Sequence, residues 1–322
     1  MSQNNPIRYF KIISSGTLKG GVGKSNFIFN TAGMLAEEII RNVFCEANIP
    51  DEEQNILLLP SGDPAKLNNL LAENGKPNRI LLVDADPQFN LTNNVGVDVR
   101  TSGLKTTQQI FETSMKAEEL IYKSPIPGLP NIDLIPASLF LTKTEISLIS
   151  RTGREWIFYN FIRDNIDFLN QNYRYILSDT NPNLYMINQN IFIASDDIII
   201  VSDVSYNSIS GAEFFMALWS ELKHPLQKPD NFRAIVVNKY DTRPNKRSGD
   251  FIEYCTHPDN EEIAKLLVKQ YIPLNERIAD TETEHTPINI LPVKTSSEKE
   301  SKNKAIAAYK SVIAELKERG IL

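Results

Sequence analysis

Cysteine is nearly absent from this 322-residue chain: only Cys45 and Cys255 occur, far apart in sequence. That excludes a disulfide framework, and two lone thiols suit a reducing compartment. Histidine is equally scarce. His224, His257 and His285 have no ligand spacing among themselves or with the cysteines, so no His/Cys metal cage is expected. No stretch approaches the roughly 18 consecutive apolar residues of a membrane span. The start, MSQNNPIRYFKIISS, lacks the basic-then-apolar order of a secretory leader. Positive charge is not in excess either: 34 Lys and Arg stand against 40 Asp and Glu, a formal net charge of −6. A surface that is a nucleic-acid footprint throughout is thereby excluded, and any phosphate-backbone contact has to be a local patch. Together these absences predict a soluble cytoplasmic protein.

What the chain does have is a series of short apolar runs bounded by turn residues. They span Arg8 to Ser15, Arg79 to Asp84, Ile132 to Pro136, Tyr173 to Asp179, Asp197 to Val201 and Phe232 to Asn238. RILLVDA, YRYILSD, DDIIIVSD and FRAIVVN are almost continuous in Ile, Leu and Val, as strands are when both faces are covered. Segments with helical spacing lie between them, for example Ile28, Ala32, Leu35, Ala36 and Ile39. The alternation predicts a doubly wound α/β fold, a mostly parallel sheet flanked by helices, organised as one domain over residues 1–322. Two stretches depart from that plan. From about 38 to 77, NIPDEEQ and PSGDPAK break any single helix, so the first crossover carries an insertion. From about 298 to 318 a terminal helix is expected, with Ile306, Tyr309, Ile313 and Leu316 on one side.

SGTLKGGVGKSNF follows the first expected strand and precedes a helix, the context a phosphate-binding loop requires. Gly20, Gly21 and Gly23 let backbone N–H groups turn inward around phosphate oxygens, and a helix starting near Lys24 aims its positive dipole end at the same anion. Lys24 would reach the β- and γ-phosphates, and the Ser25 hydroxyl would ligate Mg²⁺. The generic pattern asks for a glycine where Leu18 stands; this loop instead carries a second lysine, Lys19, able to neutralise charge developing on phosphoryl oxygens. Carboxylates close the set. LLVDADPQ ends a strand with Asp84 and Asp86 at i and i+2, directed toward the ligand end of the sheet. YRYILSDTNPN ends at Asp179, suited to hold Mg²⁺ directly or through water.

KGGVGKS resembles the deviant Walker A motif of the ParA and MinD ATPases. The resemblance implies a nucleotide cradle of Lys19, Gly20, Gly21, Val22, Gly23, Lys24, Ser25 and Asn26, with ATP and Mg²⁺ bound and Lys19 crossing a homodimer interface to the partner's nucleotide. Asn26 stands where most members have a further threonine. The resemblance further implies that Asp86 orients and activates the attacking water while Asp84 and Gln88 support metal water and switch geometry. It makes Asp179 the Walker B acid, although DTNPN has Asn181 where the family has proline. FRAIVVNKYDTR is similar to the strand and YDxR segment of ParA proteins, which implies that Asn238 contacts adenine. The later segment YIPLNERIADTETEHTPI implies that Pro273 flanks the base. The likeness runs from Lys11 to about Leu316, excluding the insertion.

For the small ParA type the implied job is DNA segregation in the nucleoid-associated cytoplasm. The ATP dimer binds non-specific DNA, and a ParB-like centromere-binding protein stimulates hydrolysis. No helix-turn-helix domain is expected before the loop. From Leu291 onward seven Lys or Arg face four Glu, a net of 7 − 4 = +3 in a chain at −6, and with Lys246 and Arg247 this tail is a candidate DNA patch. A MinD-like membrane switch is the alternative. It would need an amphipathic terminal helix with bulky apolar residues, and ELKERGIL is short of them, so no membrane contact is expected. An iron–sulfur carrier would need a CxxC, which is absent.

Overall fold

The computed structural model describes residues 7–59, 61–113, 115–243 and 246–322. Each apolar run forms a strand: β1 Lys11–Gly16, β2 Arg79–Ala85, β4 Ile132–Ile135, β5 Tyr173–Thr180, β6 Asp197–Ser202 and β7 Phe232–Val237. A short strand that the sequence pattern does not announce, β3 Tyr122–Lys123, adds an edge. The sheet order is β3-β4-β2-β5-β1-β6-β7, with β3 antiparallel to β4 and the remaining pairs parallel. Every residue of β4 and β6 is buried, because both faces of the sheet are covered.

The helices that matter for the site are α1 Lys24–Glu46, α2 Asp51–Leu57, α3 Pro64–Glu73, α4 Asn90–Asn94, α5 Tyr206–Lys223, α6 Glu276–Thr283 and α7 Ser296–Glu318. One apolar layer joins α1 and α7 to the sheet through Phe27, Phe44, Tyr309 and Leu316; the other gathers Phe158, Phe192, Phe215 and Trp219 on the opposite face. The order in which strands are added reverses about β1, whose parallel neighbours β5 and β6 come from later in sequence and lie on opposite sides of it. The crevice at the carboxyl end of β1 is therefore the topological switch point where open α/β sheets bind ligands.

The first crossover helix ends just before NIPDEEQ, later than the approximate start at 38 expected of the insertion. α1 continues unbroken to Glu46, since Ile39, Ile40, Val43 and Phe44 extend its buried stripe. The chain beyond it is helical again: α2, then α3, whose Asp63 cap accepts from the Ala65 and Lys66 amides with Pro64 at the first turn. Leu57, Leu67 and Leu71 fasten this excursion to the layer beneath α1. The terminal helix begins slightly earlier than expected, at Ser296, where Thr295 accepts from the Glu298 amide. Its Tyr309, Ile313 and Leu316 are buried and Ile306 is half-buried, and the Tyr309 and Phe27 rings stack with centroids 6.4 Å apart. α7 thus braces the helix that starts at the phosphate loop.

Candidate active site

The loop between β1 and α1 turns on two left-handed glycines, Gly21 at φ 78° and Gly23 at φ 86°. Gly23 is constrained twice, because a Cβ there would also lie 2.5 Å from Asn238 Nδ2. That amide is fixed in place: Asn238 Nδ2 donates to the carbonyls of Val22 at 3.0 Å and Gly23 at 3.3 Å. Beside it Lys239, itself at φ 56°, donates from Nζ to the Gly21 carbonyl at 2.8 Å. The residues after β7 therefore clamp the outer carbonyls of the loop. In front of it opens a cleft of about 380 Å³ lined by Lys24, Ser25, Asp86, Gln88, Lys239 and Glu282, among others. Gly23→Ala should lower thermal stability by about 1–3 kcal/mol, combining a strained φ with a displaced Asn238. A chemical-denaturation curve compared with that of Gly20→Ala, whose added Cβ meets nothing within 4 Å, checks this.

Behind the loop the acids are stacked by strand register. Asp84 on β2 is the Cα partner of Asp179 on β5, and both are fully buried. Asp179 accepts from Ser15 Oγ at 2.9 Å and from Ser25 Oγ at 2.5 Å. Asp84 accepts from the Thr92 amide and hydroxyl at 2.8 and 2.7 Å and from the Asp86 amide at 3.0 Å. Burial, then the neighbouring Asp179 charge, pushes the Asp84 carboxyl up to about 8. Asp179 is also raised, by burial first, against the opposing charge of Lys24. Lys24 is itself 7% exposed, and burial lowers its pKa while Asp179 and Asp86 hold it charged. Asp86, 5% exposed, is raised by burial and accepts from the Gln88 amide at 2.8 Å.

Lys24, Ser25, Asp86 and Gln88 are thus brought together at one cleft, with Asp179 directly behind Ser25. Other expected residues sit differently. Asp84 does not line the cleft; its carboxylate is taken up by Thr92 and the Asp86 amide, so it organises the strand tip. Asn26, at the cleft, turns its amide toward α6, donating to Ile278 O, Thr281 Oγ1 and Glu282 Oε1 at 3.0–3.1 Å. Asn238 spends its amide on the loop carbonyls. Pro273 is half-buried and bridges in parallel to Tyr240, next to that clamp. Lys19 donates from Nζ to Asp203 Oδ2 at 2.6 Å and to Ser205 Oγ at 2.8 Å, at the start of α5. Among the tail cations, Lys302 donates to the Leu291 carbonyl, and Lys304, Lys317 and Arg319 pair with Glu300, Glu38 and Glu315. Lys294, Lys299 and Lys310 are exposed; the Arg247 side chain lies outside the described residues. Lys239 and Glu282 also belong to the cleft; both lie in the segments FRAIVVNKYDTR and YIPLNERIADTETEHTPI, where the sequence pattern singles out only Asn238 and Pro273. Among the described residues no helix is long and apolar enough to cross a membrane.

An AAA domain family model matches residues 64–230, just over half of the chain. An uncharacterised protein of Methanocaldococcus jannaschii is 31% identical over 241 residues, covering 73% of this chain and 77% of that protein. The chromosome partitioning protein ParA of Caulobacter vibrioides is 24% identical over 218 residues, 67% of this chain and 77% of that one. An uncharacterised protein of Mycobacterium tuberculosis matches over 177 residues at 24% identity, and there the chain spans 53%, about half, of the relative's length. Among solved structures, apo McdA of Cyanothece superposes with a TM-score of 0.66 at 16% identity, covering 94% of this chain and 99% of that one. A putative plasmid partition protein of Borrelia burgdorferi bound to AMPPNP superposes with a TM-score of 0.59 at 19% identity, covering 95% and 98%. These two structures share the fold.

Proposed function

The chain belongs to the ParA-type ATPase family, and from that premise we propose that it is an ATP-dependent DNA-segregation switch. In this reading an ATP- and Mg²⁺-bound homodimer holds DNA without sequence preference and separates when a ParB-like centromere-binding partner stimulates hydrolysis. The observation that carries the proposal is the setting of Lys24: a buried ammonium at a helix N-terminus, in the field of two carboxylates, at the mouth of a loop that turns on left-handed glycines. Burial works against the Lys24 charge, and a triphosphate is the kind of partner that stabilises it.

The residues fit both ligands. Backbone amides from Gly20 to Ser25 cradle the phosphates, with Lys24 on the β- and γ-oxygens. The Ser25 hydroxyl and the Asp179 carboxylate, already in contact, would hold Mg²⁺, Asp179 directly or through water, and the ion would neutralise charge on the phosphates. Asp86 stands at the cleft, its amide fixed by Asp84 and its carboxylate by the Gln88 amide, in a position to orient a water. Asp84 acts through that arrangement as a positioning residue.

Lys19 is the dimer group of this reading. Its partner Asp203 is lifted by burial, but hydrogen bonds from Lys19, Ser205 and Ser208 outweigh that and hold it below the usual carboxylate range. The pair is partly exposed, with side chains 37% and 26% accessible, and pairs of that kind contribute about 0–1 kcal/mol. Release of Lys19 toward a partner's phosphate is therefore inexpensive. Leu139, Phe140, Ile146 and Ile149, in and beside the helix Leu141–Leu148, are exposed by more than 60%, as is Tyr185, so apolar area is available to be covered in a dimer. Lys19→Ala should leave ATP affinity within about threefold and prevent the ATP-dependent dimer on size-exclusion chromatography; an undiminished dimer would remove the trans role.

The test of the function itself is ATP turnover with and without non-specific DNA and a candidate centromere-binding partner, alongside pelleting in ATP. Stimulation by both, with pelleting on DNA, is the expected result. Pelleting with anionic liposomes and not with DNA would replace partition by a membrane-positioning role.

A further inference from the structure

One end of the cleft is built from three side chains that the phosphate chemistry does not use. Asn26, one residue beyond Ser25, reaches from α1 to α6 and donates to Glu282 Oε1 at 3.0 Å. Asn30, a turn further on, ties the same amide down: its Nδ2 donates to Asn26 Oδ1 at 2.9 Å, and its Oδ1 accepts from the Ile288 amide at 2.7 Å. Glu282 lines the cleft, and among the described residues no cation pairs with it. On the facing helix α4, Asn94 is 5% exposed, and its Nδ2 is buried without any hydrogen-bond partner although the residue lines the same cleft.

A carboxylate held at this place cannot serve the phosphates, which it repels; it needs a ligand group that donates. The orphaned Asn94 amide needs one that accepts. A hydroxyl does both. Glu282 is tethered to the residue that follows Ser25, one step beyond the phosphate cradle, the reach at which the sugar of a nucleotide held there would come next. We propose that Glu282, oriented by Asn26 and accompanied by Asn94, reads the ribose hydroxyls of the bound nucleotide and selects ribonucleotides over deoxyribonucleotides. Glu282 accepts from a ribose hydroxyl and Asn94 donates to one, while Asn26 is a positioning residue. The inference rests on the nucleotide reading of the cleft.

The test is a set of equilibrium affinities for ATP, 2′-deoxyATP and 3′-deoxyATP at fixed Mg²⁺, in the full chain. The wild-type protein should bind at least one deoxy analogue about tenfold or more weakly, the usual loss when a charged acceptor is deprived of its donor. Glu282→Gln should reduce that ratio to about threefold or less by weakening ATP while leaving the deoxy analogue unchanged. Asn26→Ala should act in the same direction, through a carboxylate that is no longer held. Equal affinity of the wild type for all three nucleotides overturns the assignment. So does a Glu282→Gln variant that weakens all three alike with a higher Mg²⁺ requirement, which marks a metal contact, or one that changes only the ATP-to-ITP ratio, which marks a base contact. Failure of ATP itself to bind would instead bring down the nucleotide reading, so the two failures are distinguishable.

Discussion

Lys24→Ala should lower ATP affinity on the order of a hundredfold or more, the largest binding effect expected of any single change in this chain. The ammonium is 7% exposed and stands at the first position of α1, so any phosphate in the cradle meets it in a poorly hydrated setting. Two charge-assisted bonds in such a place are each worth about 1.5–3 kcal/mol. Isothermal titration with ATP and Mg²⁺ measures the loss, and retained affinity would mean that the nucleotide binds elsewhere. The same change has a second consequence with a definite sign. Asp179 and Asp86 have pKa values raised by burial, and the Lys24 charge opposes both rises. An acid whose folded pKa is raised contributes stability that is fully present below its unfolded value near 4 and is lost as pH rises through the folded value. Removing Lys24 lets both acids rise further. The melting temperature of the variant should therefore fall, relative to wild type, more at pH 8 than at pH 5; the opposite slope would mean that Lys24 is not their counter-charge.

The sheet was legible because parallel strands covered on both faces are written as unbroken Ile, Leu and Val, as in the wholly buried β6. β3 was not, since two exposed residues, Tyr122 and Lys123, pair along an edge and carry no periodicity. α1 overran its expected end because the breakers that suggested a stop, Pro50 and the acidic run after it, lie beyond Glu46, while the apolar stripe continues up to them. In the site, spacing brought out the groups that face the phosphates, Lys24, Ser25 and Asp86, because loop geometry and strand tips dictate those positions. It could not say what an asparagine would do. Asn26 and Asn238 each have an amide that suits a ligand equally well on paper; the structure has α6 and the loop carbonyls claim them. Glu282 and Lys239 lie in segments that resemble the family, yet their own roles were not legible for a related reason: they reach the cleft from more than two hundred residues away in the chain, brought in by the packing of α6 on α1 and by the β7 clamp.

Asp86→Ala should abolish turnover without abolishing binding, and the ATP dimer should then accumulate. The carboxylate is the one acid among the three that lines the cleft, for Asp84 is turned to Thr92 and the Asp86 amide, and Asp179 lies behind Ser25 on the metal side. A positioned base contributes about 10²- to 10⁴-fold, so turnover should drop by that factor while ATP affinity changes little. Phosphate release assays give the first quantity, and chromatography in ATP gives the second as a persistent dimer. The raised pKa adds a pH signature: Asp86 orients water as a carboxylate, so wild-type turnover should fall as pH drops toward its raised value, above the ordinary aspartate range. Asp86→Asn should abolish that acid limb along with the rate. Normal turnover in either variant would transfer the water to another group, and Gln88, fixed to Asp86 through its backbone amide and present in the same cleft, is the neighbour that would have to supply it.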